Sequence, residues 1–284
     1  MKPVLATIVL YKMPFSSSPA FGALQTELRR RPDLAAKIDL LVVDNTPQAQ
    51  SVPADFTGQY LHDGANPGLA ERYNHALARA AEAGTAWLML LDQDTTVTTE
   101  YLEEVCHTTA AVQEDGRVVA LTPKLEEHGA VCSPAEAPVL GAPRAVARDT
   151  VGVSERRLFP FNSGAVLRVS AMRLLGGFPA EFPLDYLDHA TFAALQAQGG
   201  RIQVLRSVLA HQLSSNTAHR NVDAAAARRQ AAVLEAEHRF YGRYGTPAQR
   251  WLRRLRLLKA VAGRLLRGKE AGQTWRMLKS ALRP

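Results

Sequence analysis

The run Ala86-Trp-Leu-Met-Leu-Leu91, closed at once by Asp92-Gln93-Asp94, constrains the fold of this chain more than any other stretch. A short apolar run without alternation, bounded by turn-forming polar residues, suits a strand covered on both faces. Covering both faces takes helices, and the neighbouring sequence supplies them. Val4–Tyr11 and Ile38–Val43 are further β-rich runs, the second ending at Asp44-Asn45. Phe21–Arg31 reads as a helix stopped near Pro32. Gly68–Gly84 carries Leu69, Tyr73, Ala76, Leu77, Ala80 and Ala81 at helical spacing, with Gly84 as terminator. Thr99 is expected to cap a helix running through Glu103 and Val105. This β-α-β-α rhythm predicts a mostly parallel sheet between helices. In such sheets ligands gather at strand carboxyl ends, where Tyr11, Asp44 and Asp92 all fall.

The later sequence is less regular. Glu126–Arg157, rich in Pro, Gly and Ala, reads as loop with room for short strands. Gly164–Arg168 is expected as a strand, Ser170 as the cap of a short helix ending at Gly176-Gly177, and Leu184–Gln198 as a helix. Arg201–Leu205 and Ser207–Ala210 are strand-like, and Asp223–Tyr241 is a long alanine-rich helix. The expected organisation is one domain over residues 1–221 and a helical extension over 222–284. With 46% hydrophobic and 21% charged residues, the chain can bury a large core, which excludes wholesale disorder. No apolar run approaches the roughly 20 residues of a membrane span, and the opening Lys2-Pro3 is not read as part of a signal peptide. Cys106 and Cys132 are too few for a disulfide scaffold or a thiolate zinc site. A cytoplasmic protein with reduced thiols is expected.

The formal charge of +7 is unevenly placed. Residues 248–284 hold eleven Lys and Arg against one acid, Glu270, whereas residues 1–247 hold 23 bases and 26 acids. On a helical wheel of the basic tail beyond Pro247, Trp251, Leu255, Leu258, Ala262 and Leu265 share a face, with Arg253, Arg256, Arg264 and Arg267 opposite and Arg254 and Lys259 on the flanks. Past Gly268, Trp275, Leu278 and Leu282 repeat the pattern, with Arg276 and Arg283 turned away and Lys279 at the flank. Such a segment suits the interface of an anionic membrane, so residues 248–284 are expected to hold the protein peripherally on the inner face of the cell membrane. The same face would also suit docking on protein, including a second subunit. Nucleic acid is not an expected partner, because the body of the chain shows no aromatic-interleaved basic groove. Gly263-Arg-Leu-Leu-Arg-Gly268-Lys269 imitates a phosphate-binding loop, but Glu270 stands where Ser or Thr should meet magnesium and no strand precedes it.

Five places carry possible chemistry. Asp92 and Asp94 can hold a hard divalent cation, Mg2+ or Mn2+, directly or through water, or one can meet a ribose hydroxyl; a solvated turn is the alternative. Asp44 at a strand end can accept a base N–H or simply form a turn with Asn45. Asn66-Pro-Gly68 enters a helix whose N-terminal amides can face phosphate, or is a plain turn. Asp185 and Asp188 fall near a helix start, where capping explains one of them and a general base can be the other. His211 follows a strand and is either structural or a metal ligand.

Taken in order, Ile8-Val-Leu-Tyr11, Val42-Val-Asp44-Asn45, Asn66-Pro-Gly68, Leu91-Asp92-Gln93-Asp94, Asn162-Ser163-Gly164, Gly176-Gly177-Phe178, Asp185-Tyr-Leu-Asp188 and Ala210-His211 resemble glycosyltransferase family 2, and within it the rhamnosyltransferase-like enzymes. The likeness runs over residues 4–215. It implies an α/β GT-A fold, nucleotide-sugar-binding and Rossmann-like with a mixed, mostly parallel sheet, followed here by the helical C-terminal extension. It implies an inverting, metal-dependent enzyme that moves a sugar, with dTDP-rhamnose the favoured donor, to a growing surface polysaccharide or lipid-linked glycan. By resemblance, Tyr11 and Asp44 would meet the base and Asn66 and Gly68 would lie under ribose and diphosphate. Asp92 would hold ribose or a metal-bound water, while Asn45, Gln93, Ser163 and Gly164 are further substrate-binding candidates. Asp94 and His211 would ligate Mg2+ or Mn2+. Asp188 matches the catalytic base, with Asp185 next in line. Ala190 and Ala194 stand where relatives commonly have Glu and Arg, which also admits a catalytically silent nucleotide-sugar-binding partner at the membrane. A homo-oligomer is compatible with either.

Overall fold

The computed structural model describes residues 2–136, 143–211, 224–266 and 271–282. Part of the middle loop (137–142) and the basic residues Arg267 and Arg283 lie outside them. The chain divides into two compact units, Met1–Glu136 with Arg144–Gln212, and a second that holds the described helices from Ala224 onward.

The first unit is built on a nine-stranded sheet. Strand β1 (Val4–Leu10) pairs in parallel with β2 (Ile38–Asp44), which pairs in parallel with β3 (Gln59–His62); on its other side β1 meets β4 (Trp87–Asp92), again parallel. Beyond β4 come β5 (Val118–Glu127) with its hairpin partner β6 (Ala130–Ser133), and a three-stranded antiparallel sheet from β7 (Ala135–Glu136), β8 (Arg144–Ala145) and, after β9 (Gly152–Val153), β10 (Leu158–Phe159). Strand β11 (Val166–Arg168) runs antiparallel between β4 and β5, while β12 (Arg201–Ala210) is parallel to β5 and antiparallel to β9. The helices of this unit are α1 (Pro19–Arg30), α2 (Pro32–Ala35), α3 (Leu69–Glu82), α4 (Thr99–Ala111), α5 (Val169–Leu175) and α6 (Leu187–Ala197).

Trp87 through Leu91 are fully buried, as the unbroken apolar run requires. Each such Leu contributes about 2 kcal/mol relative to an exposed one. Alternation sorts the two faces. Val4, Ala6, Ile8 and Leu10 join one core with Met89 and Leu91, Phe21 and Leu24 of α1, and Tyr101, Leu102 and Val105 of α4. Helix α3 packs on β1 and β4 and buries Tyr73, Ala76, Leu77 and Ala80.

Local expectations shift in small, explicable ways. Pro32 does stop α1, yet it also opens α2, where its missing N–H costs nothing. The cap of α4 is Thr98, whose hydroxyl accepts the Tyr101 N–H at 3.3 Å, rather than Thr99. Ser170 falls inside the first turn of α5, behind the cap position Arg168. The two strand-like runs after Arg201 are one strand broken by a register shift between Val204 and Val208. Charged side chains satisfy that irregular stretch: Glu104 accepts the N–H groups of Arg206 (2.6 Å) and Ser207 (2.9 Å), and buried Lys124 donates to the carbonyl of Leu205 at 2.6 Å. Burial pushes the Lys124 ammonium below its ordinary range.

The second unit is a helical bundle of α7 (Ala224–Tyr244), α8 (Pro247–Leu265) and α9 (Ala271–Leu282). Thr246 and Gln249 form a capping box with Pro247 at the first position, and α8 then runs unbroken through Gly263. One member of the expected basic face of α8 departs from the sequence reading. Arg253, expected to face away, is buried with Leu257 and Val261. Its guanidinium donates to the Glu237 carboxylate (3.2 Å) and to the Ser280 hydroxyl (2.6 Å), and Arg256 also pairs with Glu237. No described helix is long and apolar enough to cross a membrane.

Removing Glu237 would leave the buried Arg253 charge without its carboxylate. Glu237→Ala is therefore expected to cost about 3–5 kcal/mol, read by urea denaturation of the full chain followed through helical circular dichroism. A shift within error would show that Ser280 and backbone carbonyls suffice.

Candidate active site at the carboxyl edge of the sheet

The β1–β2 and β1–β4 registers set Leu10 opposite Asp44 and Val9 opposite Asp92. The two acids therefore flank the end of β1. They are used differently. Asp44 is fully buried, and its oxygens accept the Thr46 N–H (2.8 Å) and the Tyr60 hydroxyl (2.7 Å), so as placed it secures the loop after β2 and offers no surface to a ligand. Burial and this bond raise the Tyr60 phenol above its usual value. Asn45 donates to the Asn66 side-chain oxygen at 3.3 Å, and its own Oδ1 is buried without a partner. Tyr11 is exposed, with its backbone N–H on Gln93 Oε1 at 2.9 Å. The Gln93 carbonyl in turn accepts the Ser18 hydroxyl at 2.7 Å, so Gln93 ties the turns after β1 and β4 together.

Asp92 sits deeper than Asp94. It accepts hydroxyl protons from Ser163 and from Tyr73 (3.3 Å). Burial, reinforced by the charge of Asp94, lifts its carboxyl above the usual carboxylate range, against the opposing pull of the Ser163 bond, His211 and Tyr73. Ser163 reaches Asp92 because Gly164 turns at φ +74°, where an added Cβ would stand 2.9 Å from Pro123 Cγ. The Gly164 carbonyl is held by the Tyr101 hydroxyl at 2.6 Å. Gly164 thus positions a neighbour. Asp94 is exposed and makes no hydrogen bond or salt bridge among the described residues.

Tyr73 gathers the rest. It is fully buried, and burial together with the charges of Asp92, Asp188 and Asp94 drives its phenol well above the ordinary value. Of the three, Asp92 bonds this hydroxyl, and Asp188 and Asp94 bear on it through charge alone. His211, just past the end of β12, bears on Asp92 through charge and packs beside Phe161 with ring centroids 5.9 Å apart. The turn Asn66-Pro-Gly68 does not present its amides to solvent: the Leu69 and Ala70 N–H groups bond the Pro183 carbonyl at 2.7 and 3.2 Å, tying the start of α3 to the segment before α6. Gly177, whose added Cβ would strike Asn74, and Phe178, whose backbone makes two hydrogen bonds with the Asn74 amide, fix α3 from another side. Lys12, Asn66 and Tyr186 all hold positive φ, so non-glycine backbone in the left-handed region lies beside Tyr11, Gly68 and Asp188.

Half-buried Asp185 precedes Tyr186, the cap position of α6, and Asp188 lies in the first turn of that helix. Asp188 Oδ1 accepts the His189 N–H (2.7 Å) and pairs with His189 Nδ1 (2.8 Å). The His189 ring stacks on Phe159 at 5.4 Å. Burial, which lowers the imidazole, is outweighed by the charge of Asp188 and its hydrogen bond, so His189 is raised above 6.5. Tyr73 and His189 were not singled out from sequence. Tyr73 lay hidden in the apolar period of its helix, and the only signal for His189 was its place next to Asp188.

Among the described residues, no three His, Cys, Asp or Glu side chains already stand close enough to hold a metal. The donor chemistry nevertheless fits Mg2+ or Mn2+: an unpartnered Asp94 carboxylate raises the proton affinity of Asp92 by repulsion, which a divalent cation would relieve, and the His211 imidazole lies within electrostatic reach.

No protein-family model and no curated protein matches the chain. Among solved structures, S. aureus TarS aligns with a TM-score of 0.51 at 15% identity over 85% of this chain and 44% of that one. The chain thus spans less than half of that TarS structure. TarS 1-349 aligns with a TM-score of 0.51 at 16% identity over 99% and 81%. A complex of TarS 1-349 with UDP-GlcNAc gives a TM-score of 0.48 at 14% identity over 87% and 68%. The chain has the GT-A fold. At such identities the likeness is one of fold alone, and the chemistry must come from the side chains.

A raised His189 stabilises the folded protein fully below the unfolded imidazole value, and this contribution is lost as pH rises through the folded one. By NMR, the His189 ring is expected to titrate above 6.5, and Asp188→Asn to bring it below, since burial alone then acts. An unmoved midpoint would break the pairing.

Proposed function

We propose that the first unit is an inverting glycosyltransferase acting on a nucleoside-diphosphate sugar. One observation carries this reading: Asp92, at the carboxyl end of β4 in a GT-A sheet, is held by the Tyr73 and Ser163 hydroxyls, with Asp94 two residues on and Asp188 and His211 within electrostatic reach of this pair. Convergent carboxylates at that edge are what binding and activating a sugar diphosphate require. UDP-GlcNAc, bound by TarS 1-349 in one of its structures, is the first donor to try. dTDP-rhamnose follows from the rhamnosyltransferase-like motif order, and the proposed acceptor is a growing surface polysaccharide or lipid-linked glycan met at the cytoplasmic face of the membrane.

In this mechanism Tyr11 and Asn66, the latter held by Asn45, bind the nucleoside, and Asp92, kept in place by Ser163 and Tyr73, orients the ribose. Asp188 takes the proton of the acceptor hydroxyl as that oxygen attacks the anomeric carbon from the face opposite the departing diphosphate, so configuration inverts. Its Oδ1 is held by His189, which leaves Oδ2 to face the acceptor. Asp94 and His211 would hold Mg2+ or Mn2+, which, when bound, neutralises charge on the leaving diphosphate.

A second reading, a silent nucleotide-sugar-binding partner, draws on Ala190 and Ala194. Ala190 is fully buried in α6, so a glutamate there would enter the core rather than the cleft. That favours an active enzyme.

Asp188→Asn is expected to keep donor affinity within about twofold while transfer falls by roughly 100-fold or more. Asp94→Asn should remove any stimulation by Mn2+. Calorimetric donor titration and a product assay with UDP-GlcNAc and dTDP-rhamnose read both. Donor binding without transfer or hydrolysis in the wild type would select the silent-partner reading.

A further inference from the structure

We infer that the helical unit docks on an anionic lipid surface through the outward stripe of α8 and the outer side chains of α9. This deepens the reading above only by naming where a lipid-linked acceptor is met, and its test needs no sugar transfer.

A helix in a soluble bundle normally turns its apolar face inward and its arginines to water. In α8, Leu257 and Val261 do turn inward, but one arginine goes with them and a second apolar stripe stays outside. Arg253 is sealed inside against Glu237 and Ser280, while Trp251, Leu255, Leu258 and Leu265 stand exposed at helical spacing. In α9, Trp275 and Leu282 are exposed as well. Trp251 and Trp275 are 61% and 57% exposed, whereas Trp87, in the first unit, is 0%. Large apolar side chains left outward in this number mark a binding surface.

Charge selects the occupant. Arg254 and Lys259 border the α8 stripe, the Lys279 ammonium lies 5.5 Å from the Trp275 ring centroid, and the only acid from residue 248 onward is Glu270. An apolar stripe with a cationic rim matches acyl chains beneath anionic headgroups, with the long Lys and Arg side chains reaching up to the phosphates. A second copy of the same face would set cationic rims against each other, which disfavours self-association.

The experiment is flotation of the full chain with phosphatidylcholine vesicles, with and without phosphatidylglycerol. The wild type is expected to float only with the anionic vesicles, and less so as salt is raised. The triple variant Trp251→Ser, Leu258→Ser, Trp275→Ser changes only exposed side chains; with helix content unchanged by circular dichroism, its bound fraction should fall about tenfold or more. Wild type left at the bottom with both vesicles overturns the inference, as does equal flotation of the triple variant. A dimer abolished by the triple variant, without flotation, assigns the face to a second copy and overturns it too. Flotation without transfer, or transfer to a soluble acceptor without flotation, separates the fate of this inference from that of the transferase reading.

Discussion

A carboxyl group at the mouth of a buried strand must be satisfied by the protein around it, and Asp92 is held by hydroxyls from two separate elements. Tyr73 comes from α3 and Ser163 from the turn before β11. Each hydroxyl is itself fixed by something that leaves little freedom. Tyr73 is packed against Phe178 with ring centroids 5.2 Å apart, and Ser163 precedes a glycine whose carbonyl is bonded by Tyr101. The site therefore inherits its geometry from helix packing and one glycine turn. Asp94, two residues on, has no hydrogen-bond partner among the described residues, beside a carboxyl that already accepts two hydrogen bonds from the protein.

The same economy explains why some expected ligand groups are spoken for. The amides opening α3 are consumed by Pro183, and the oxygens of Asp44 by Thr46 and Tyr60. Backbone N–H groups and buried carboxylates cannot be left open inside a protein without cost. In exchange, the Pro183 bonds join the start of α3 to the segment leading into Asp188, so Tyr73 and Asp188 are braced by one junction.

Much of the sheet was legible beforehand, because the apolar runs of β1, β2 and β4 have no other use and their carboxyl ends carry the polar residues. The long β5 went unnoticed: Pro123 and Lys124 interrupt its apolar pattern, and only the tertiary structure reveals that Lys124 bonds the Leu205 carbonyl beside an irregular stretch of β12. Asp92, Asp94 and Asp188 were read as belonging together from motif order. That Asp92 bonds Tyr73 could not be read, since a tyrosine at a helical core position looks the same whether its hydroxyl faces apolar packing or a carboxyl. His189 was hidden for a related reason: adjacency in sequence does not say that a ring will fold back onto the preceding side chain.

The helical extension marks the limit most clearly. Local sequence by itself determined where α8 begins, through Thr246, Pro247 and Gln249, and which residues share each of its faces, because caps and the helical period depend on neighbours along the chain. Which face turns inward was decided by Glu237, sixteen residues earlier on another helix, and by Ser280, twenty-seven residues later on a third. A buried charge takes its sign of burial from partners that only three-dimensional packing can deliver. Periodicity names the faces, and the tertiary structure chooses between them.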